Sequence, residues 1–144
     1  MPCGAGRPSH APVLASVPWA DWGQNRRVVI TYTFAGLPVA EYGAAYEWYV
    51  RLLGRAADMF PHDTEAVWRL TPNGAIYVVQ DPERAGSGLL TMALDNLDGY
   101  ERRLREAGLA YAELAAGDAP RRLVVTDPDG NTLTFFQDPA QPGA

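Results

Sequence analysis

The chain has 144 residues, of which 47% are hydrophobic and 20% are charged, a composition typical of one globular domain. Its formal net charge of -5 argues against a nucleic-acid partner, and no apolar run approaches the ~20 residues that span a membrane. All twelve basic residues are Arg, which excludes chemistry that needs a lysine amine. The single cysteine, Cys3, excludes an internal disulfide and favours a cytoplasmic location, and Arg-only basic usage is typical of a GC-rich bacterial source.

Residues 1–26 are predicted to form an N-terminal extension, because prolines at positions 2, 8, 12 and 18 interrupt any regular pattern. One interpretation is a disordered segment. The other is a tail whose Trp19 and Trp22 pack on the domain or close a pocket. Residues 139–144 are predicted to form a C-terminal tail.

The regular pattern begins at residue 27. Residues 28–35 are β-branched and aromatic and predict a strand. Apolar residues then recur at helical spacing from Val39 to Leu53, and Gly54 ends the predicted helix. Three further strands are predicted at about 57–60, 65–71 and 75–80.

A second round follows a loop at 81–88. Residues 89–94 predict a strand, and the spacing of apolar residues predicts a helix over 97–107. Asp95 or Asn96 is the expected helix cap, and Gly108 is the expected end. Three more strands are predicted at about 109–114, 121–126 and 132–137.

The two rounds match each other in sequence. Asn73-Gly74 leads to Gln80-Asp81-Pro82, as Asp129-Gly130 leads to Gln137-Asp138-Pro139. This repetition predicts an α+β fold of two tandem βαβββ units, at about 27–80 and 89–138. One helix covers only one face of a four-stranded sheet, so we expect the open faces to curve round a shared cavity.

The segment from Phe34-Ala35-Gly36-Leu37-Pro38-Val39 through Trp48-Tyr49 to Leu53-Gly54, together with Asp127-Pro128-Asp129-Gly130-Asn131 before the last strand, carries a family resemblance. The chain resembles the vicinal oxygen chelate superfamily, which includes glyoxalase I, bleomycin-resistance proteins and extradiol dioxygenases. The resemblance covers about residues 27–138 and implies a homodimer with cavities within or between chains.

In metal-dependent members of this superfamily, four side chains from the first and last strands of the two units bind a divalent ion. The resemblance places these positions at Phe34, Tyr77, Leu89 and Thr134. Phe and Leu have no donor atom, and neutral hydroxyls are weak ligands for a divalent ion. We therefore expect no metal and no other cofactor.

Without a metal, the inward-facing residues would form an apolar and aromatic lining with a few hydroxyls, suited to a planar or hydrophobic small molecule. The other interpretation is a core filled by these side chains themselves. Trp68 forms a wall of the cavity or packs beneath the first helix. The predicted lining is Tyr32, Phe34, Trp68, Tyr77, Val79, Leu89, Thr91, Thr132, Thr134 and Phe136.

Few ionisable groups accompany this lining. Glu65 and Arg69 share one face of their strand and Trp68 lies on the other, so all three cannot line one pocket. Glu65 inside the cavity, or His62 at its rim, could transfer protons, whereas solvated positions would make both inert.

The leading hypothesis is a metal-free protein that binds and sequesters a small, largely apolar or aromatic molecule. The alternative is an isomerase, epimerase or lyase that uses Tyr77, Thr134, Glu65 or His62, or a metal-dependent lyase or dioxygenase if the strand register differs. No nucleic-acid or membrane partner is expected.

Overall fold

The computed structural model describes residues 28–115 and 117–141, so the predicted extension at 1–26 and the last three residues lie outside the described part. The predicted α+β fold of two tandem βαβββ units is confirmed. The first repeat contains β1 (Thr33–Val39), α1 (Tyr42–Leu53), β2 (Met59–His62), β3 (Glu65–Thr71) and β4 (Gly74–Gln80). The second contains β5 (Leu89–Leu94), α2 (Leu97–Glu106), β6 (Ala112–Leu114), β7 (Arg122–Thr126) and β8 (Thr132–Gln137).

Each repeat forms a four-stranded sheet with the same topology. Sheet 1, in the first repeat, has the strand order β1-β4-β3-β2, and sheet 2, in the second repeat, has the order β5-β8-β7-β6. In each sheet the first strand runs parallel to the last, and the remaining pairs are antiparallel. The two sheets are not closed into a barrel, and within residues 28–115 and 117–141 no strand pairs with the second edge of β1 or of β5.

The first strand lies later in the sequence than predicted. Strand β1 begins at Thr33, not at residue 28, because Thr33 is opposite Gly74, the first residue of its only partner strand. It then continues to Val39, which was predicted to begin the helix. Pro38 is tolerated there because β1 is an edge strand. Residues 28–32 form no helix or strand.

Both helices begin at equivalent capping contacts. Glu41 caps α1, since its carboxylate accepts hydrogen bonds from the backbone N–H groups of Gly43 and Ala44. These bonds lower the pKa of Glu41. Asn96 caps α2 by accepting from the Gly99 N–H.

A glutamine at the end of each last strand holds the helix start of its own repeat. Gln80 Oε1 accepts from the Tyr42 N–H at 3.0 Å. Gln137 Oε1 accepts from the Leu97 N–H at 2.9 Å. The sequence match between the two rounds is therefore a structural equivalence.

The two sheets differ sharply between their faces. On the covered face, alternate strand residues pack against the helices in one buried cluster that extends through both repeats. Leu37, Val78 and Trp68 belong to it in the first repeat, and Leu133 and Phe135 belong to it in the second. The opposite face of each sheet, here called the open face, carries the other alternate residues.

Asp127, at the start of the predicted DPDGN turn, is buried and fully hydrogen-bonded. Its Oδ1 accepts from the backbone N–H groups of Asp129, Gly130 and Asn131, each at 2.9 Å. Its Oδ2 accepts from the Tyr49 hydroxyl of α1 at 2.7 Å. Burial and this hydrogen bond raise the pKa of Tyr49, so the hydroxyl stays protonated and donates.

Asn131 completes the connection between the repeats and is 0% exposed. Its Nδ2 donates to the Asp127 carboxylate at 2.8 Å and to the Pro38 carbonyl of β1 at 2.7 Å. Its Oδ1 accepts from the Gly88 N–H at 2.6 Å. One buried amide therefore ties the first strand of one repeat to the first strand of the next.

The helix ends are also joined across the repeats. Tyr100 Oη and Arg103 Nη2 of α2 donate to the carbonyl of Leu52 near the end of α1, at 2.7 and 2.9 Å. In return, Arg51 Nη2 donates to the carbonyl of Ala107 after α2, at 2.6 Å. These contacts satisfy carbonyl groups that a helix end leaves without an internal partner.

We expect Asn131→Ala to lower the free energy of unfolding by about 2–5 kcal/mol, because the Gly88 N–H and the Pro38 carbonyl would be left without this partner in a buried site. Urea denaturation followed by circular dichroism measures the change. Asn73→Ala, in the exposed turn at the equivalent end of the first repeat, is the matched control and should change stability little. Equal effects of both substitutions would contradict the role given to Asn131.

Candidate functional site

The open faces contain most of the side chains that the sequence predicted to line a cavity. In sheet 1, Phe34 lies opposite Ala75, and Tyr77 lies opposite Gly36. In sheet 2, Leu89 lies opposite Thr132, and Thr91 lies opposite Thr134. Since opposite residues in a pair share a face, these side chains form two apolar and hydroxyl-bearing surfaces.

The first strands present large apolar side chains to solvent. Phe34 is 53% exposed and Leu89 is 84% exposed. The two residues occupy equivalent positions in the repeats, near the start of the open face of β1 and β5. Exposure of large apolar side chains at both positions indicates a surface that another molecule covers.

Tyr77 has a defined position because of a glycine. Its ring lies directly over Gly36 on the neighbouring strand, where a Cβ atom would overlap the ring. Gly36 therefore lets an aromatic ring lie flat across the open face of sheet 1. Val79, two residues further along β4, lies on the same face opposite Pro38.

The open face of sheet 2 is richer in hydroxyls. Thr91, Thr132 and Thr134 alternate with covered residues along β5 and β8, and Phe136 lies opposite Ala93. Arg122 of β7 lies opposite Phe136 on this face. The sequence analysis did not single out Arg122, although its alternation with Leu123 would have placed it here.

Trp68 lies on the covered face and is 0% exposed. Its ring stacks on Tyr46 of α1 with 5.6 Å between centroids, and its Nε1 donates to the Arg55 carbonyl. The structure therefore agrees with packing beneath the first helix rather than with a wall of the open-face site. Tyr32 precedes β1 and is not part of a strand.

The side chains of His62 and Glu65 are in contact at the edge of the open face of sheet 1. Nε2 of His62 lies 2.7 Å from Glu65 Oε1, and the two side chains are 55% and 19% exposed. Nδ1 of His62 accepts weakly from the Thr64 N–H at 3.4 Å. Glu65 lies opposite Val79, which places its carboxylate beside the apolar surface.

The four positions that the superfamily uses for a metal do not fit one in this chain. Phe34 and Leu89 offer no donor atom, and Tyr77 and Thr134 offer only neutral hydroxyls. Among residues 28–115 and 117–141, no three His, Cys, Asp or Glu side chains are grouped so that they could hold a metal ion. These four residues therefore do not form a site for a divalent metal ion.

A cavity of about 780 Å³ opens beside the unpaired edge of β5. Leu53, Leu70 and Thr71 line it from the first repeat, and Tyr100 and Arg103 of α2 line it from the second. Of the predicted lining, only Thr91 contributes to this groove. The groove therefore meets the open face of sheet 2 at Thr91 and Ala93 of β5, and the remainder extends towards α2 and the first repeat.

The open faces can stack planar groups and donate hydroxyl hydrogen bonds, but they carry few groups for proton transfer. Tyr77 and the threonines are neutral donors and acceptors, and the His62–Glu65 contact lies at the rim. None of the helices in the described residues is long and apolar enough to cross a membrane.

The structure is similar to solved structures of one family. A glyoxalase/bleomycin resistance protein from Catenulispora acidiphila DSM 44928 is 36% identical, with a TM-score of 0.71, over 75% of this chain and 98% of that one. An antibiotic binding protein, TnmS3, from Streptomyces sp. CB03234 is 23% identical over 76% and 97% of the chains, with a TM-score of 0.62. A bleomycin-binding protein complexed with bleomycin is 19% identical over 77% and 99%, with a TM-score of 0.56.

At 23% and 19% identity, the latter two similarities show the fold alone. No protein-family model matches the sequence, and the search of curated proteins found no match. The 36% identical relative matches over nearly its whole length, with the same tandem βαβββ repeats. The chain therefore belongs to the glyoxalase/bleomycin resistance protein family of the vicinal oxygen chelate superfamily.

Proposed function

We propose that this protein binds and sequesters a small, largely apolar or aromatic molecule between open sheet faces, without a metal. The observation that carries the proposal is the composition of these faces. Phe34, Tyr77 and Leu89 supply aromatic and aliphatic contact area at positions where metal-dependent relatives require donor atoms. Thr91 and Thr134 supply hydroxyls that orient a ligand.

The proposed site contains two chains. One chain exposes Phe34 and Leu89 on its open faces, and its two sheets are not closed into a barrel. In a two-fold dimer, sheet 1 of each chain would cover sheet 2 of the other and form two identical cavities. The equivalent positions of Phe34 and Leu89 support this arrangement, since such a dimer would bury both of them.

Two structures with the same fold support a binding function. One is an antibiotic binding protein, and another holds bleomycin. The single cysteine of this chain is consistent with such sequestration in a reducing cytoplasm. An antibiotic or a metabolite of similar chemistry is the ligand class we propose.

A second candidate is an enzyme that uses the same faces for proton transfer. The 2.7 Å contact between His62 and Glu65 favours it, since a carboxylate can orient an imidazole for acid–base work. The Tyr77 hydroxyl would be the donor nearest the centre of the apolar face. Tyr77→Phe separates the two functions, as described below.

The dimer predicts that Leu89→Asp produces a monomer at micromolar concentration. A carboxylate at the centre of an apolar interface would be desolvated without a partner, which should weaken association by about 100-fold. Sedimentation equilibrium over a concentration series measures the dissociation constant of the dimer.

Ala44→Asp is the control for the dimer experiment, because it adds the same charge at an exposed position of α1 away from both open faces. Its dissociation constant should equal that of the wild-type protein. A wild-type chain that sediments as a monomer at all concentrations would overturn the two-chain site.

Ligand binding predicts a modest effect of removing one hydroxyl. Tyr77→Phe should weaken binding by about 0.5–1.5 kcal/mol, or roughly 2- to 12-fold, if the hydroxyl only orients a ligand. Isothermal titration calorimetry with bleomycin and a panel of planar aromatic antibiotics, chosen by thermal shift, measures this change. Tyr46→Phe removes a hydroxyl on the covered face and should leave the affinity unchanged.

The same variant tests catalysis. A reaction that depends on proton transfer through Tyr77 would lose about 100-fold or more of its rate in Tyr77→Phe, while ligand affinity would change little. If the wild-type protein converts a bound compound to product and Tyr77→Phe loses this activity, the protein is an enzyme and the sequestration proposal is wrong.

A further inference from the structure

Arg122 is the cation of the open face of sheet 2. It lies opposite Phe136 on β8 and opposite Leu114 on β6, with Val124 two residues along the same strand and face. The side chain is half-buried. Its positive charge therefore stands among apolar side chains.

This guanidinium lacks a partner. Within residues 28–115 and 117–141, Nε of Arg122 is buried and has no hydrogen-bond acceptor, and no carboxylate forms an ion pair with the group. A buried charged donor without an acceptor is unfavourable, because it has lost its hydrogen bonds to water. An anion from outside this part of the chain would remove that cost.

The carboxylates nearest to this part of β7 bind the neighbouring residue, Arg121. Arg121 points to the other side of the strand and contacts Asp98 and Glu113 at 2.8 Å each, and also Glu101. Hydrogen bonds with Glu113 and Glu101 raise the pKa of Arg121. The acidic groups at the start of α2 and on β6 are thus engaged by Arg121 and not by Arg122.

The equivalent residue of the first repeat is Glu65, which lies opposite Val79 as Arg122 lies opposite Phe136. Glu65 already contacts His62 Nε2 at 2.7 Å. The two open faces therefore differ in charge at this position. Sheet 1 carries a carboxylate with a partner, and sheet 2 carries a cation without one.

We infer that Arg122 is an anion-recognition residue, and that the molecule bound at the open faces is an aromatic or apolar acid rather than a neutral or cationic compound. The inference rests on the proposed function and adds the class of ligand. A carboxylate can accept two parallel hydrogen bonds from the guanidinium, while Phe136 packs against the apolar part of the same molecule. The acceptor supplied by the ligand would satisfy the buried Nε.

A matched pair of probes tests this inference. We expect wild-type protein to bind 2-naphthoate at least tenfold more tightly than 2-naphthamide, which has the same ring but no charge. In Arg122→Gln that preference should fall to within about threefold, while the affinity for 2-naphthamide stays unchanged. Arg122→Lys keeps the charge and should retain part of the preference.

Arg102→Gln is the charge-matched control, because it removes one Arg from the exposed side of α2 and should keep the full preference. Equal binding of both probes by the wild-type protein would overturn the inference and leave the proposed function intact. If the wild-type protein binds neither probe and none of the antibiotics in the panel, both the inference and the proposed function are overturned.

Pairing between chains gives a different result. If Arg122 instead bound Glu65 of a second chain, Arg122→Gln and Glu65→Gln would each weaken the dimer by tenfold or more, and the two naphthalene probes would bind equally. That outcome would overturn the inference in favour of an interface ion pair. We expect both variants to keep the wild-type dissociation constant of the dimer.

Discussion

The buried contact between Asp127 and Asn131 is the constraint on which the arrangement of the two repeats depends. The Asp127 carboxylate accepts hydrogen bonds from three backbone N–H groups of its own turn. It also accepts a hydrogen bond from the Tyr49 hydroxyl of the other repeat. The Asn131 amide connects the β1 backbone at Pro38 with the backbone at Gly88. Because the side chains of Asp127, Asn131 and Tyr49 are buried, each depends on the others for a partner.

This connection explains which surfaces remain available. The covered faces and both helices form one core, so the shared interior of a single chain is used for stability. The open faces are left with alternating apolar, aromatic and hydroxyl side chains. Strand alternation therefore gives each sheet one face that packs against the helices and one face of different composition, which is the face proposed to bind a ligand.

The proposed recognition of a ligand relies on apolar contact area at positions where metal-dependent relatives have donor atoms. The positions at which metal-dependent relatives require ligands hold Phe34, Tyr77, Leu89 and Thr134, which can pack and orient but cannot coordinate a divalent ion. Gly36 keeps the Tyr77 ring flat on its surface. On the open face of sheet 2, Arg122 is a cation among apolar and hydroxyl-bearing side chains, whereas the open face of sheet 1 carries Glu65 and Arg69.

The sequence by itself determined the elements and their repetition. Helical spacing, capping residues and paired turn motifs predicted both βαβββ units, because such patterns reflect local backbone geometry. The resemblance to the superfamily singled out Phe34, Tyr77, Leu89 and Thr134 as the positions of metal ligands in its metal-dependent members. The prediction of β1 began too early. Residues 28–32 have the β-branched and aromatic composition typical of a strand, but no described strand lies opposite them.

Only the tertiary structure decided which side of each strand faces a helix. Trp68 and Glu65 alternate on β3, and the sequence alone allowed either to face the cavity. Packing of Trp68 against Tyr46 settles the choice, because burying an indole beneath α1 turns Glu65 to the open face. Arg121 and Arg122 are likewise adjacent residues of the same type. Among the described residues, the positions of α2 and β6 give Arg121 three carboxylate partners and give Arg122 none.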